Sequence, residues 1–477
     1  MKILITGYEV APFYKRGGLG DVMGSLPKAL KKIDVDCRIV VPYYVEMQEN
    51  ANGKRIGEFC IHFGDKEEEI GVYECNLPNS NCIVYFLSNR PALSHVTHRG
   101  RNRRIDQFAF FSLAVSHFIA WLDTNKGWKA DIVHCNDWHT ALIPLILKNK
   151  IKLYTPTLLT IHNLSYQGSG SRKVLDLLHM ADEETKEIKK GVPATEIDIL
   201  GEGILHATKV STVSPNYASE IMREEHCHKD IYTYLRKRKV DLGKDDSIIG
   251  ILNGIDYEVW NPEKDKILLK QYGIADRKEG REAIKEDLLK FFSLKPRLTF
   301  CFIGRMAAQK GIDILIKVVK TITEYNTNLI FLGSGNPSIE RSVRRIAQKY
   351  PENVRAEVVY SEDLSHKLYA GSDFIVIPSH FEPCGLIQMI AMRYGTIPIA
   401  AETGGLKDSI QNGENGFLFE KDSSRSLRKA IKAAVAFYNK KDNKFEEMSV
   451  KAMKTNFSWD KSALLYKKLY EEMLGEK

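Results

Sequence analysis

Short apolar runs, each about a strand long, alternate along most of this chain with segments whose apolar positions recur at helical spacing. Runs rich in β-branched and aromatic residues, with no polar face of their own, read as strands buried on both sides of a parallel sheet. Residues 2–6 and 37–42 are the first two, and 54–85 alternates as β-rich structure does. A helical pattern covers 23–31, and the longest apolar stretch, 108–122, is broken by Ser112, Ser116 and His117, which predicts a buried helix and not a membrane span. Strands are then expected at 131–136, 157–161 and 210–213, the last followed by a helix with Ser214 as N-cap and Pro215 at its first position. In the second half the runs at 299–303, 329–332, 354–359, 374–377 and 396–400 are separated by helical patterns such as 313–325 and 339–349. Residues 173–200 show no clear apolar period and are expected to form a mobile excursion.

This alternation, carried over 477 residues, exceeds one ordinary core and suits two α/β domains. The polar, charged segment 244–248 is the expected boundary, giving domains over 1–246 and 247–454. An amphipathic helix over 455–477 is expected to cross back onto the first.

Composition narrows the class. With 43% hydrophobic and 27% charged residues the chain reads as a soluble globular protein, and its formal net charge of +8 favours small anionic partners but is too dilute for a nucleic-acid binder. The basic run 236–239 reads as a solvated helix face. The 8 cysteines include no C-x-x-C and lie mostly in apolar contexts, which points to reduced thiols. His226, Cys227 and His228 are adjacent and cannot converge on one ion, so no metal site is expected there. The first apolar run is too short for a signal sequence, and a cytoplasmic protein is expected.

The chemistry lies where predicted strands end. In parallel sheets the carboxyl ends of the strands border the ligand crevice. The run ending at Gly304 hands on to Arg305 and Lys310, a forked donor and a compact charge that suit a diphosphate. The first strand hands on to a loop containing Lys15, Gly17 and Gly18 just before a helix, where backbone amides face an anion. Two consecutive strands deliver Asp137 and His162 to one sheet edge. Glu382 sits in a turn at a helix start, and Thr403, Gly404 and Gly405 put bare backbone amides at another. Neither half carries a P-loop or the G-x-G-x-x-G fingerprint, which argues against a dehydrogenase.

Taken in order, these stretches resemble the bacterial glycogen and starch synthase family of retaining glycosyltransferases. The family's K-x-G-G-L-x-D-V is matched at 15–22, D-W-H at 137–139, H-N-L-x-Y-Q-G at 162–168, and T-V-S-P-x-Y-A-x-E-I at 212–221. Its L-N-G-[VI]-D-x-x-x-W-N-P is matched at 252–262, G-R-x-x-x-Q-K-G at 304–311, and F-E-P-C-G-L-x-Q at 381–388.

The resemblance implies an α/β GT-B fold, two Rossmann-like doubly wound domains facing across a cleft. It further implies glucosyl transfer from ADP-glucose to the non-reducing end of an α-1,4-glucan, with retention. Carried over by position, Arg305 and Lys310 neutralise the diphosphate, Lys15 with the Gly17 and Gly18 backbone closes on it, and Tyr360 stacks on the base. Glu382 bonds glucose hydroxyls; Asp137, His162 and Asn253 line the sugar side, the His162 carbonyl facing the anomeric carbon. Asp21, Asn163, Cys384, Gly385, Leu386, Thr403, Gly404 and Gly405 complete the donor-contacting set. The partners implied are a nucleotide-sugar and an α-glucan, with no nucleic acid, membrane, cofactor or metal.

Departures from the pattern fall mainly in the first domain. Arg16 and Gly20 stand where the family more often has Thr and Ala, Gln107 where it has Arg before Phe-Ala, and Gly201-Glu202 where it has Lys-Ala. The last two bear on acceptor preference. Alternatives are another retaining GT-B enzyme, using UDP-glucose or making a small glycoside, and a silent nucleotide-sugar-binding protein. Against a relative with the E-x₇-E signature, Ile390 stands where the second Glu belongs.

Overall fold

The computed structural model describes residues 1–96, 100–180, 195–223, 229–240, 243, 247–440 and 442–475. It divides into two units, Met1–Gly254 with Trp459–Lys477, and Ile255–Ser458.

The first unit is built on a sheet of β1 Lys2–Thr6, β2 Asp36–Pro42, β3 Lys54–Phe63, β4 Lys66–Asn76, β5 Ile83–Ser88, β6 Ile132–Asn136, β7 Thr157–Ile161, β8 Lys209–Thr212 and β9 Ile248–Gly250. In space they run β9-β8-β7-β6-β1-β2-β5-β4-β3, parallel except for the β3–β4 and β4–β5 pairings. The central strands β1, β6 and β7 are buried along nearly their whole length, as continuous apolar runs require. One face of the sheet is covered by the helix Arg101–Lys126, with Phe108, Phe111, Leu113, Val115 and Phe118 in the core. That helix is long and apolar enough to cross a membrane, but here it is largely buried inside the unit. The other face is covered by Gly18–Lys31 and by the final helix Trp459–Gly475, whose Trp459, Ala463, Tyr466 and Tyr470 pack with Ile3, Leu26 and Leu30. His134 on β6 fastens that helix through Nδ1 to the Tyr470 hydroxyl at 2.8 Å.

Ile248–Gly250 still pairs with Val210–Thr212, so the chain leaves this unit only after Gly254, beyond the polar segment 244–248. Residues 244–246 lie outside the described residues, as do Arg99 and the His226-Cys227-His228 stretch. The expected excursion at 173–200 is only partly described, since 181–194 lie outside. Its flanks form a short helix, Val174–Leu177, and a strand, Glu196–Asp198, paired with Ser169–Ser171.

The basic run at 236–239 is not simply a solvated face. Arg238 is 1% exposed and donates to the carbonyls of Ile204 and Ala207 at 2.7 Å each and Thr208 at 2.6 Å. These carbonyls close the helix Ile199–His206, whose last turn needs donors that its own backbone cannot supply. The departures at Gln107 and at Gly201-Glu202 are likewise absorbed by packing. A side chain at Gly201 would meet the Tyr234 ring at 2.1 Å, Glu202 is fully buried beside it, and Gln107 donates to the carbonyls of Ala92 and His95 at 2.7 Å each.

The second unit holds a parallel sheet of β10 Thr299–Ile303, β11 Asn328–Leu332, β12 Val354–Glu357, β13 Phe374–Ile377, β14 Ile397–Ala401 and β15 Phe417–Phe419, in the order β12-β11-β10-β13-β14-β15. The expected helix over 313–325 is two pieces, Ile312–Ile316 and Val319–Glu324.

Candidate functional site

In the second unit the chemical groups gather where β10, β13 and β14 end. β10 runs out at Gly304, and Arg305 follows it, exposed and without a carboxylate partner among the described residues. The chain then makes a tight turn, Ala308–Lys310, closed by Gly311 at φ +64°. Glycine is required there twice over, by the left-handed backbone and because a Cβ would lie 1.8 Å from the Pro378 carbonyl oxygen. That approach seats Lys310 against the loop after β13. Lys310 Nζ is 2.6 Å from Glu382 Oε2, and Ser379 Oγ donates to the same oxygen at 2.9 Å.

Lys310 does not face solvent as Arg305 does. Instead the Lys310 and Glu382 side chains are only 13% and 8% exposed, and the ammonium is held by the carboxylate in one ion pair. The reason is geometric, since the Gly311 turn lays one loop on the other.

The glycines after β14 make room for the neighbouring loop. The Gly405 N–H is bonded to the Glu382 carbonyl at 3.0 Å, and Cβ atoms at Gly404 and Gly405 would lie 1.9 Å from Glu382 O and 2.2 Å from Cys384 O. Gly404 and Gly405 therefore let the Glu382–Cys384 backbone come close, and the Gly405 amide is already committed. Gly385 turns at φ +71°, and Leu386 leads into the helix Ile387–Arg393, whose Gln388 ties back to the Cys384 and Gly385 carbonyls at 3.1 and 2.8 Å. Tyr360, after β12, is 73% exposed.

In the first unit the ends of β1, β6, β7 and β9 carry the corresponding groups. Asp137 follows β6 at φ +58°, ψ −179°, a costly conformation for a non-glycine residue. It is held there by its own amide, bonded to the Thr160 carbonyl at 2.9 Å, and by its Oδ1, which accepts from the His162 amide at 2.7 Å. The structure thus brings Asp137 and His162 together, with Asn163 N–H 3.4 Å from the same oxygen. His162 Nε2 is 2.8 Å from Asn136 Oδ1; because Asn136 Nδ2 is aimed at the Thr6 carbonyl at 3.1 Å, its oxygen accepts and the His162 proton is on Nε2. Burial pulls the His162 pKa down to about 3, so the ring stays neutral. Asn253, beyond β9, is 6% exposed and its Oδ1 has no hydrogen-bond partner among the described residues.

Lys15 Nζ pairs with Asp21 Oδ1 at 2.7 Å ahead of the helix Gly18–Lys31. That loop is organised by Glu9, 1% exposed, whose carboxylate accepts from the backbone N–H of Arg16 and from that of Gly17 at 3.1 Å. Burial lifts Glu9 to about 7 although these amides pull it down; Asp137 also rises to about 7, by burial first and then the Glu9 charge, against its two amide donors. Sequence reasoning missed Glu9 and Asn136. The usable signal was a carboxylate set among apolar residues just past the first strand, and an amide side chain immediately before Asp137.

Polar and charged groups gathered at the strand ends of two separate α/β domains are the architecture of GT-B glycosyltransferases, and comparison bears this out. Residues 2–237 match the family described as starch synthase catalytic domain, and 285–451 match glycosyl transferases group 1. A glycogen synthase of Thermodesulfovibrio yellowstonii is 36% identical over 100% of this chain and 99% of its own, and one of Clostridium kluyveri is 36% identical over 99% and 100%. The catalytic domain of starch synthase IV from Arabidopsis thaliana, bound to ADP and acarbose, superposes with a TM-score of 0.89 at 31% identity over 99% of both chains. Sucrose-phosphate synthase from Thermosynechococcus elongatus, at 16% identity and a TM-score of 0.62, shares the fold. The chain belongs to the glycogen and starch synthase family of glycosyltransferases.

Proposed function

We propose that the protein extends α-1,4-glucans by moving glucose from ADP-glucose to the non-reducing end, with the anomeric configuration retained. The observation that carries this reading is the Lys310–Glu382 unit beside an exposed Arg305 at one strand end of the second unit. The bond from glucose C1 to the β-phosphate oxygen breaks and one to the acceptor hydroxyl oxygen forms, the hydroxyl proton leaving to the diphosphate. Negative charge grows on the diphosphate, and Arg305 and Lys310 are cations fixed where it develops. Glu382 keeps Lys310 in place through one oxygen and offers the other to glucose hydroxyls. A diphosphate is a good leaving group, so the carboxylic acid a glycosidase needs is not called for.

In the first unit, nothing inside the protein demands Gly17, where a Cβ would sit 3.6 Å from Glu9 Oε1 in ordinary contact. Its bareness is therefore available to an approaching phosphate, with Lys15 beside it. Asp137, bonded to the amides of His162 and Asn163, fixes the turn whose His162 carbonyl we assign to the anomeric carbon, and the unpartnered Asn253 Oδ1 suits a sugar hydroxyl. ADP rather than UDP is supported by the ADP held by the Arabidopsis relative, whose acarbose marks it as a binder of α-linked sugars. The free thiols among the described cysteines support a cytoplasmic setting.

The test is incorporation of label from ADP-[¹⁴C]glucose into glycogen, with UDP-[¹⁴C]glucose alongside and α-amylase digestion of the product. Amylase-sensitive label from the ADP donor is expected. Label only from UDP-glucose would overturn the donor assignment, and no label from either would overturn the reaction.

A further inference from the structure

One titratable side chain lies against the Glu382 loop and has no part in the chemistry above. His380 stands between two carboxylates. Its Nε2 is 3.0 Å from Asp313 Oδ1 on the helix Ile312–Ile316, and its Nδ1 bonds Asp422 Oδ1 in the turn after β15. The backbone repeats the link, since the His380 N–H donates to the Gln309 carbonyl at 2.9 Å and Gln309 Nε2 donates to the Phe381 carbonyl at 3.1 Å. Three stretches therefore meet on one imidazole: the turn ending in Lys310 with the helix after it, the loop carrying Glu382, and the turn at Asp422.

A carboxylate has only acceptors to offer. A neutral imidazole donates through one nitrogen and would set the lone pair of the other against an anion, so only the imidazolium satisfies both contacts. Partial burial pulls the pKa of this ring down, but the bonds to Asp422 and Asp313 and their charges outweigh it and hold it above the ordinary histidine value. Of the lysines on these stretches, Lys317 lies 3.8 Å from the second oxygen of Asp313 and Lys310 is paired with Glu382.

We propose that His380 is a positioning residue for glucosyl transfer, an imidazolium clamp that holds the Glu382 loop and the Lys310 turn in register and releases them when it loses its proton. This rests on the reading of Lys310 and Glu382 as donor-holding groups. His380 touches neither donor nor acceptor in this scheme, and its effect is carried by the placement of Glu382, where displacements well under 1 Å matter to rate.

The experiment follows kcat and KM for ADP-glucose from pH 6 to 9 in the wild type, His380→Arg, His380→Gln and the double variant Asp313→Asn/Asp422→Asn, with amide hydrogen exchange of residues 379–388 corrected for intrinsic rates. In the wild type, kcat is expected to fall about three- to tenfold with rising pH while KM changes little, and exchange of the loop to rise over the same range. His380→Arg, whose fork keeps both carboxylates without titrating, is expected to hold the low-pH kcat and lose the descending limb. His380→Gln is expected to sit at the high-pH level throughout, and the double Asn variant to move the limb to lower pH. The same limb in His380→Arg or His380→Gln, or one unmoved in the double variant, would overturn the clamp. Loop exchange that depends on His380 in a protein that transfers no glucose would sink the functional reading and leave the clamp standing.

Discussion

At the scale of single residues, Arg305 and Lys310 share one expected task in the sequence and stand in different surroundings in the structure. Arg305 is exposed, whereas the Lys310 side chain is largely covered and paired with a carboxylate. Removing an exposed cation that acts on a developing charge costs rate and little stability. Removing one member of a buried pair leaves the other charge uncompensated, at about 3 kcal/mol or more. Arg305→Ala is therefore expected to lower kcat about a hundredfold with an almost unchanged urea midpoint. Lys310→Ala is expected to lose both activity and stability, and Lys310→Ala/Glu382→Gln to recover part of the stability but none of the activity. Equal urea midpoints for the two single variants would show that the Lys310–Glu382 pair does not contribute as its burial implies.

At the scale of elements, what the sequence discloses depends on whether a signal is local. β10 and β13 are legible because an apolar run of strand length bounded by glycine or polar residues leaves few other readings, and Ser214 is legible because a hydroxyl before Pro215 is a complete local instruction, met by its bond to the Tyr217 amide at 3.0 Å. Arg305, Asp137, His162 and Glu382 are legible as strand-end residues for the same reason, while their partners are not. No local pattern says that Gly311 must admit the Pro378 carbonyl, that Gly404 and Gly405 serve the Glu382 backbone, or that Arg238 closes the helix Ile199–His206. Glu202 on that helix shows what such contacts do to energetics. It is fully buried with Asp198, His206, Tyr234, Lys237 and Arg172 around it, and burial, reinforced by the Asp198 charge, raises its pKa from 4.5 to about 8 despite Lys237. The folded state thus holds a proton that the unfolded state gives up. The stability this carboxyl contributes is complete below pH 4.5 and is lost as pH rises towards 8, at up to about 1.4 kcal/mol per pH unit. Glu202→Gln is expected to flatten that part of the dependence. Urea unfolding at pH 5, 6, 7 and 8 reads it directly, and parallel curves for the two proteins would mean that Glu202 is ionised in the fold.

At the scale of the molecule, the chain leaves the first unit after Gly254 and re-enters it after Ser458, so a unit that begins at Met1 is completed only by the last helix. Trp459, Tyr466, Leu469, Tyr470 and Met473 are buried there, and the Tyr470 hydroxyl meets the fully buried His134, whose Nε2 bonds Thr160 Oγ1 at 2.6 Å in the middle of the sheet. Without that helix, the apolar face formed by Ile3, Leu26 and Leu30 is opened to water, and each large side chain uncovered costs roughly 1.5–3 kcal/mol. Several such side chains together rival the whole stability of a domain. Deletion of residues 459–477 is therefore expected to strip hydrogen-exchange protection from Lys2–Thr6 and Gly18–Lys31 while Thr299–Ile303 and Phe374–Ile377, strands of the second unit, keep theirs. Protection lost equally in both sheets would mean that the two units fold as one. Protection kept in both would mean that the final helix is an accessory to a core already complete without it.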